Sequence, residues 1–359
     1  MSHRITNYQL PITLFLILFL SHPLLAATPA SQPTERTKTE ADKLIDDSGK
    51  TAPPWWDSTP LVFPQTLDLS WKKVGKWDNQ KQMNAYLWDV VYPNPAKWRE
   101  GIKLAQHSMQ VNKGDENVQR KAAASMADMY TQMLQDYARG AFWAKKAKGM
   151  EGMDFELVEC YAKLGCKTAA VDLLKEIAQD ETFNAVSVKL WGELGELKTA
   201  LAWADAIAEE GRGSAACLSA GDACRRAGEL QQAIQYYQKV LTYSAPQDTR
   251  NKKRAQANLD AIKLFETLDL AKIADGLYKD SAQGYVGPVT VAVTVQNHRI
   301  EKVEVIDHHE KQFYSSLVEV PPQIVAKQSV KGIDTTTGAT ITSEAIINAS
   351  AKALAKPNP

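Results

Sequence analysis

Neither charge predominates in this chain of 359 residues: 42 lysines and arginines face 42 aspartates and glutamates. That balance removes the global field that would favour nucleic acid or an acidic membrane surface. Cysteine is scarce. The four residues, Cys160, Cys166, Cys217 and Cys224, form no C-x-x-C pair, no haem-attachment motif and no zinc spacing. Cys217 and Cys224 lie about 10 Å apart along a predicted helix, too far to bridge each other. Burial as small apolar side chains is the favoured reading for all four, with a bridge between neighbouring helices left open. No G-x-G-x-x-G follows a strand pattern, so no nicotinamide dinucleotide site is expected, and no haem or iron–sulfur ligand set is present. The longest apolar run, residues 10–20 ("LPITLFLILFL"), falls short of the roughly 20 residues of a membrane span.

That run has the order of a secretory signal peptide: His3 and Arg4 before it, and the small residues Ala26, Ala27 and Ala30 after it. Residues 1–27 are therefore expected to be removed on export to the periplasm or cell envelope, an uncleaved anchor being the alternative. No cysteine follows the run, which argues against a lipoprotein anchor. Residues 28–54 are rich in Thr, Ser, Pro, Lys, Glu and Asp and read as a flexible linker.

Residues 55–268 read as helical. Six of the nine tryptophans lie between Trp55 and Trp98, where they are expected to pack the entry segment against the first helices. "WDNQKQMNAYLWDVV" and "NPAKWREGIKLAQHSMQ" read as two opening helices separated near Pro93 and Pro95. Three segments then repeat: "YAKLGCKTAAVDLLKEIA" from Tyr161, "WGELGELKTALAWADAIA" from Trp191 and "CRRAGELQQAIQYYQKVL" from Cys224. Each has a glycine (Gly165, Gly195, Gly228) and, five residues on, an alanine (Ala170, Ala200, Ala233). The glycine steps of 30 and 33 approach the tetratricopeptide period of about 34 residues. The last unit, with Gly221, Ala233, Tyr237 and Pro246, resembles a tetratricopeptide repeat best; a plain helical bundle is the alternative. Such arrays bind protein partners on a concave face.

The period changes after Leu270. "VTVAVTV" alternates Val289, Val291, Val293 and Val295 against Thr290, Ala292 and Thr294, a strand with one apolar face. "QNHR" reads as a turn and "IEKVEVID" as the return strand. A linker helix near Pro321 and Pro322 follows, and "SEAIINASAKALAK" reads as a final helix ended by Pro357. The fold class is thus multidomain: an all-α, tetratricopeptide-like repeat region followed by a small α+β domain over residues 269–359. His308, His309 and Glu310 invite a metal reading, but adjacent strand residues point to opposite faces and a third ligand of sensible spacing is missing.

Between these elements lies "GIDTTTGATITSEAII", five threonines around one Gly-Ala pair. Thr340 or Thr342 is placed to cap the final helix, whose free N–H groups and partial positive charge suit a phosphate as well as a plain capped turn. Residues 275–355 resemble the FMN-binding domain family found in the C subunit of sodium-pumping NADH:quinone reductase and the G subunit of the Rnf complex. The opening "DGLYKDSAQGYVGPVTVAVTVQNHRIEKVEVIDHHE" is similar to the family's start. Asp334, Thr335, Thr336, Thr337, Gly338, Ala339, Thr340 matches its flavin-attachment motif, Asp, two variable residues, Ser or Thr, then Gly-Ala-Thr.

The resemblance implies that FMN is carried as a phosphoester on Thr340, with Thr337, Gly338 and Ala339 as near neighbours and Asp334 read by the attaching enzyme or structural in the turn. It also implies that enzyme, an exported magnesium-dependent flavin transferase, because a threonine hydroxyl is a poor nucleophile unaided. One departure stands out: where the family has a glycine-containing loop near the flavin, this chain has "KQFYSSLVEVPP". The expected function is an exported electron carrier, docked by its helical repeats to redox proteins of a membrane electron-transfer complex, rather than a self-contained enzyme. The alternative is an envelope scaffold whose repeats bind partners and whose flavin is noncovalent or absent.

Overall fold

The structure, a computed structural model, describes residues 35–72, 75–180, 184–211, 213–310, 315–333 and 340–357. The expected signal peptide and the first residues of the expected linker lie outside these, as do Asp334, Thr335, Thr336, Thr337, Gly338 and Ala339.

The linker expectation needs correction. Lys38–Lys50 is a helix, α1, not part of a flexible linker. Thr37 and Glu40 form a reciprocal capping box, which satisfies two of the donors a helix start leaves free. Ala41 and Ile45, one turn apart, are completely buried against the helical region. Asp42 accepts from the Lys145 ammonium and the Tyr161 hydroxyl, both at 2.6 Å. Despite partial burial, these contacts and Lys38 hold its carboxyl well below the usual range. Composition alone hid this helix, because two apolar residues at the right spacing and one anchored carboxylate are enough to dock it.

The tryptophan-rich entry segment then wraps the first helices, α2 (Met83–Tyr86), α3 (Trp98–Val111), α4 (Glu116–Asp128) and α5 (Tyr137–Lys146). Trp71 is buried, and Trp55, Trp56, Trp88 and Trp98 pack on the same apolar cluster. Trp77 is instead exposed at the surface, where its indole N–H donates to Asp89. The first opening helix is shorter than its pattern promised. It widens into a π turn over Leu87–Val91, and Pro95 starts the short 3-10 turn that leads into α3.

Three helix pairs follow: α6 (Met153–Lys163) with α7 (Lys167–Asp180), α8 (Ala185–Glu193) with α9 (Leu197–Glu209), and α10 (Ser214–Ala227) with α11 (Leu230–Thr242). The glycines singled out by their period close the first helix of each pair. Gly165, Gly195 and Gly228 have φ of 77°, 78° and 84°, the left-handed conformation that glycine adopts without steric cost. Ala170, Ala200 and Ala233 are fully buried where the second helix meets the first. Gly221 lets α11 approach α10: a Cβ there would sit 2.5 Å from the buried Tyr237 ring. All four cysteines are buried free thiols.

The long helix α12 (Thr249–Thr267) leads into a three-stranded antiparallel sheet of order β1 (Gly276–Gln283), β2 (Pro288–Gln296), β3 (Arg299–Asp307). The expected hairpin is β2–β3, paired from Thr290 opposite Asp307 to Gln296 opposite Arg299, with the register shifting between Thr290 and Val291 and again between Thr294 and Val295. Its turn places Asn297 and His298 at φ 51° and 58°, the mirror-image geometry that matches strand twist. Val289, Val291, Val293 and Val295 are all completely buried. The sequence pattern missed β1, whose polar run pairs with the other edge of β2. Helix α13 (Ser315–Lys327) covers β3 and contains Pro321 and Pro322 within it rather than beside it. Helix α14 (Thr340–Leu354) lies across β1 and β2 on one side and against α12 on the other. It is buried along nearly its whole length.

Candidate functional site

Thr340 opens α14 and faces the helical region. The residue is 4% exposed, and its hydroxyl donates to Glu193 Oε1 at 2.9 Å. Glu193 ends α8. The same oxygen is approached by the Lys189 ammonium, one turn back on α8, at 3.4 Å and by the Arg226 guanidinium of α10 at 3.6 Å. The second oxygen of Glu193, Oε2, is buried with no hydrogen-bond partner among the described residues. Lys189 also pairs with Glu159 of α6 at 3.2 Å. Burial opposes the Lys189 charge, but the Glu193 and Glu159 carboxylates more than offset it and its pKa is raised. A hydroxyl, a carboxylate and two cations thus converge at the first turn of a 15-residue helix, where the helix end adds partial positive charge.

The rest of α14 is pinned to the helical region by buried polar contacts. Arg225 of α10 donates to Asn348 at 2.9 Å, and Asn348 donates to Asn258 of α12 at 2.7 Å. Arg254 of α12 lies 3.2 Å from Glu344 and 3.4 Å from Asp222 of α10. Burial, then the Glu344 carboxylate, push Asp222 well above its usual pKa. Burial would raise Glu344 too, but Arg254, with Asp222 and Arg225, holds it below its usual value. On α13, Glu319 accepts from Gln135 at 2.6 Å and pairs with Lys163 at 3.6 Å. The face formed by the first helices of successive pairs is therefore occupied by the chain's own C-terminal domain.

Glu310 has a structural position. It is 2% exposed and accepts from the Thr342 hydroxyl at 3.0 Å and the Val286 N–H at 3.3 Å. It thereby ties the turn before β2 to the start of α14. Gly284 permits this approach, since a Cβ there would lie 2.4 Å from Glu310 Oε1. Among the described residues no group of three or more His, Cys, Asp and Glu side chains is placed to hold a metal ion. The glycine-flanked turn, the β2–β3 hairpin, Glu310 and the threonine-led helix therefore form one connected unit.

Residues 284–355 match the FMN-binding domain family. The match begins at the glycine turn, so β1 stands just outside it and completes the sheet of the FMN-binding domain as folded. An uncharacterized protein of Treponema pallidum (strain Nichols) is 44% identical over 91 residues, 25% of this chain and 25% of that relative. The chain thus spans about a quarter of the relative's length. Of the site residues expected from the sequence, Thr340 falls at the start of the FMN-binding domain's last helix; Asp334, Thr337, Gly338 and Ala339 lie outside the described residues. Sequence reasoning missed Glu193, Lys189 and Arg226. A signal existed: Lys163, Glu193 and Arg226 each stand two residues before a turn glycine, and Glu159, Lys189 and Asp222 one turn earlier.

Glu156 and Glu159 of α6 are buried, and the half-buried Asp128 at the end of α4 acts on Glu156. Gln132 donates to both glutamates at 3.4 Å. Burial, followed by the Asp128 charge, pushes Glu156 up to about 8, and burial pushes Asp128 up to about 7. The folded chain therefore retains protons that the unfolded chain, with Glu156 near 4.5, has released. Stability from this cluster is complete below the unfolded values, 3.8 for Asp128 and 4.5 for Glu156, and falls as pH rises toward 8. Glu156→Gln is expected to flatten that fall, leaving the variant about 1–3 kcal/mol more stable than the parent at pH 8 and little changed at pH 5. Urea titrations at the two pH values measure the difference.

Proposed function

We propose that the chain is an exported flavoprotein that carries FMN covalently on Thr340 and shuttles electrons between redox proteins of the cell envelope. The observation that carries the reading is Thr340 itself. It ends the Asp-to-Thr motif, opens the last helix of a domain that matches the FMN-binding family, and its hydroxyl already has an anionic oxygen on it. A phosphoester is an anion of the same kind, and the helix end favours it. Attachment replaces the Thr340 O–H by an Oγ–P bond. The pyrophosphate P–O bond of flavin adenine dinucleotide breaks, AMP leaves, and the transferase takes the proton. Bound in this way, FMN supplies one- and two-electron chemistry; the protein holds and orients it.

With Thr340 4% exposed, a transferase must reach the hydroxyl before α8 and α14 close on each other, or while they are apart. The redox partners are proposed to dock on the faces of the helical region that the FMN-binding domain leaves free, because Lys163, Arg225 and Arg254 are already engaged by Glu319, Asn348 and Glu344. Chain made in a host with the transferase is expected to be yellow and to keep its flavin through denaturation and gel filtration in urea. Flavin that leaves the unfolded polypeptide supports noncovalent binding and contradicts the proposal.

A further inference from the structure

We infer that the helical region supplies half of the flavin phosphate site, with Lys189 of α8 and Arg226 of α10 as its cations. The inference rests on attachment at Thr340 and goes beyond it, since both residues lie far outside the stretch that matches the FMN-binding family. One hydroxyl donor and two cations converge on one atom. Glu193 Oε1 accepts from the Thr340 hydroxyl at 2.9 Å and stands 3.4 Å from the Lys189 ammonium and 3.6 Å from the Arg226 guanidinium. An oxygen in that position is negatively charged, sits against Thr340 Oγ1 and is held by two cations. The non-bridging oxygens of a phosphoester on Thr340 Oγ1 meet the same description. In the unmodified chain the Glu193 carboxylate stands in for the phosphate.

Charge and burial support the exchange. The Glu193 side chain is 4% exposed and its Oε2 has no partner among the described residues; a buried carboxylate satisfied on one oxygen alone is costly to keep. When Oγ1 is esterified it has no proton to donate, and Glu193 loses its bond to the hydroxyl. Two anions would then compete for Lys189 and Arg226. The phosphate is tethered by its ester bond to the start of α14, so Glu193 is the one that yields. The sheet domain contributes the hydroxyl and the helix end, and the helical region contributes the cations. The buried contacts from Arg225 to Asn348 and from Arg254 to Glu344 hold the two halves in register.

The test uses the full chain loaded with FMN in cells that make the transferase, with the conservative variants Lys189→Gln and Arg226→Gln. The 31P resonance of the attached FMN is recorded for each protein in its folded and urea-unfolded states. The folded parent is expected to show a resonance displaced from its unfolded position. Each variant is expected to lose a substantial part of that displacement, and the double variant most of it. The melting temperature gained by the parent on loading is also expected to shrink in the double variant. Identical 31P displacements and identical melting gains in parent and variants would overturn the cation role while leaving attachment intact. Chains that carry no FMN, parent included, would overturn the attachment reading and this inference with it. Should a glutamine variant fold poorly by circular dichroism, Glu193→Gln decides: with the competing anion neutralised, the melting gain on loading is expected to rise, and an unchanged gain contradicts the inference.

Discussion

Arg254→Ala is expected to cost about 3–5 kcal/mol of stability, the usual penalty for removing one member of a buried ionic group. Arg254 is 13% exposed at its side chain and lies between Asp222 and Glu344, whose side chains are 9% and 5% exposed. Without the guanidinium, two buried carboxyl groups from different halves of the molecule face each other. Asp222 would lose the charge that opposes the rise caused by burial and by Glu344, and Glu344 would lose the charge that holds its pKa down. Asn258 can donate to both, at 3.3 Å to Asp222 and 3.1 Å to Glu344, but it brings no charge. Arg254→Lys restores the charge without the planar fork and should recover part of the loss. Urea denaturation of the three proteins at pH 7 measures this, and a loss under about 1 kcal/mol for Arg254→Ala would place the junction in the class of weak surface pairs.

Thr340→Ala is expected to abolish covalent FMN altogether, because no other hydroxyl in the stretch has the same combination of position and surroundings. Thr342 is two residues further into α14, completely buried, and its hydroxyl is committed to Glu310. Thr335, Thr336 and Thr337 precede the Gly-Ala pair and do not end the motif. The change also removes the hydroxyl's bond to Glu193, leaving that carboxylate with Lys189 and Arg226 alone, a loss of about 1–3 kcal/mol in stability. Thr340→Ser keeps the oxygen and should retain attachment.

The parts of the fold that were legible in the sequence are those fixed by local rules. Gly165, Gly195 and Gly228 marked the turns because only a left-handed residue ends those helices cheaply, and the alternation of Val289 to Val295 marked β2 because one face is buried. Strand β1 was illegible because "GLYKDSAQ" has no clean alternation; its place is set by pairing with β2 along its whole length. Helix α1 was hidden by its polar composition, since its stability comes from Ala41, Ile45 and the contacts of Asp42 with side chains more than 100 positions away. At the candidate site, Thr340 was singled out in the sequence by its motif. Glu193 was not, because the contact between them spans 147 residues and depends on how α14 docks. The charged pairs Glu159 and Lys163, Lys189 and Glu193, and Asp222 and Arg226, spaced one turn apart before each turn glycine, mark that docking face. Charges recurring at one position of a repeat are the pattern to look for.

The most direct test of the central claim is tandem mass spectrometry of the tryptic peptide spanning residues 332–352, from chain made together with a flavin transferase. The peptide contains five threonines, so fragmentation assigns the modified one. The account predicts an added mass of FMN less water on Thr340, absent from Thr340→Ala. An unmodified peptide, or FMN on any other residue, would contradict it.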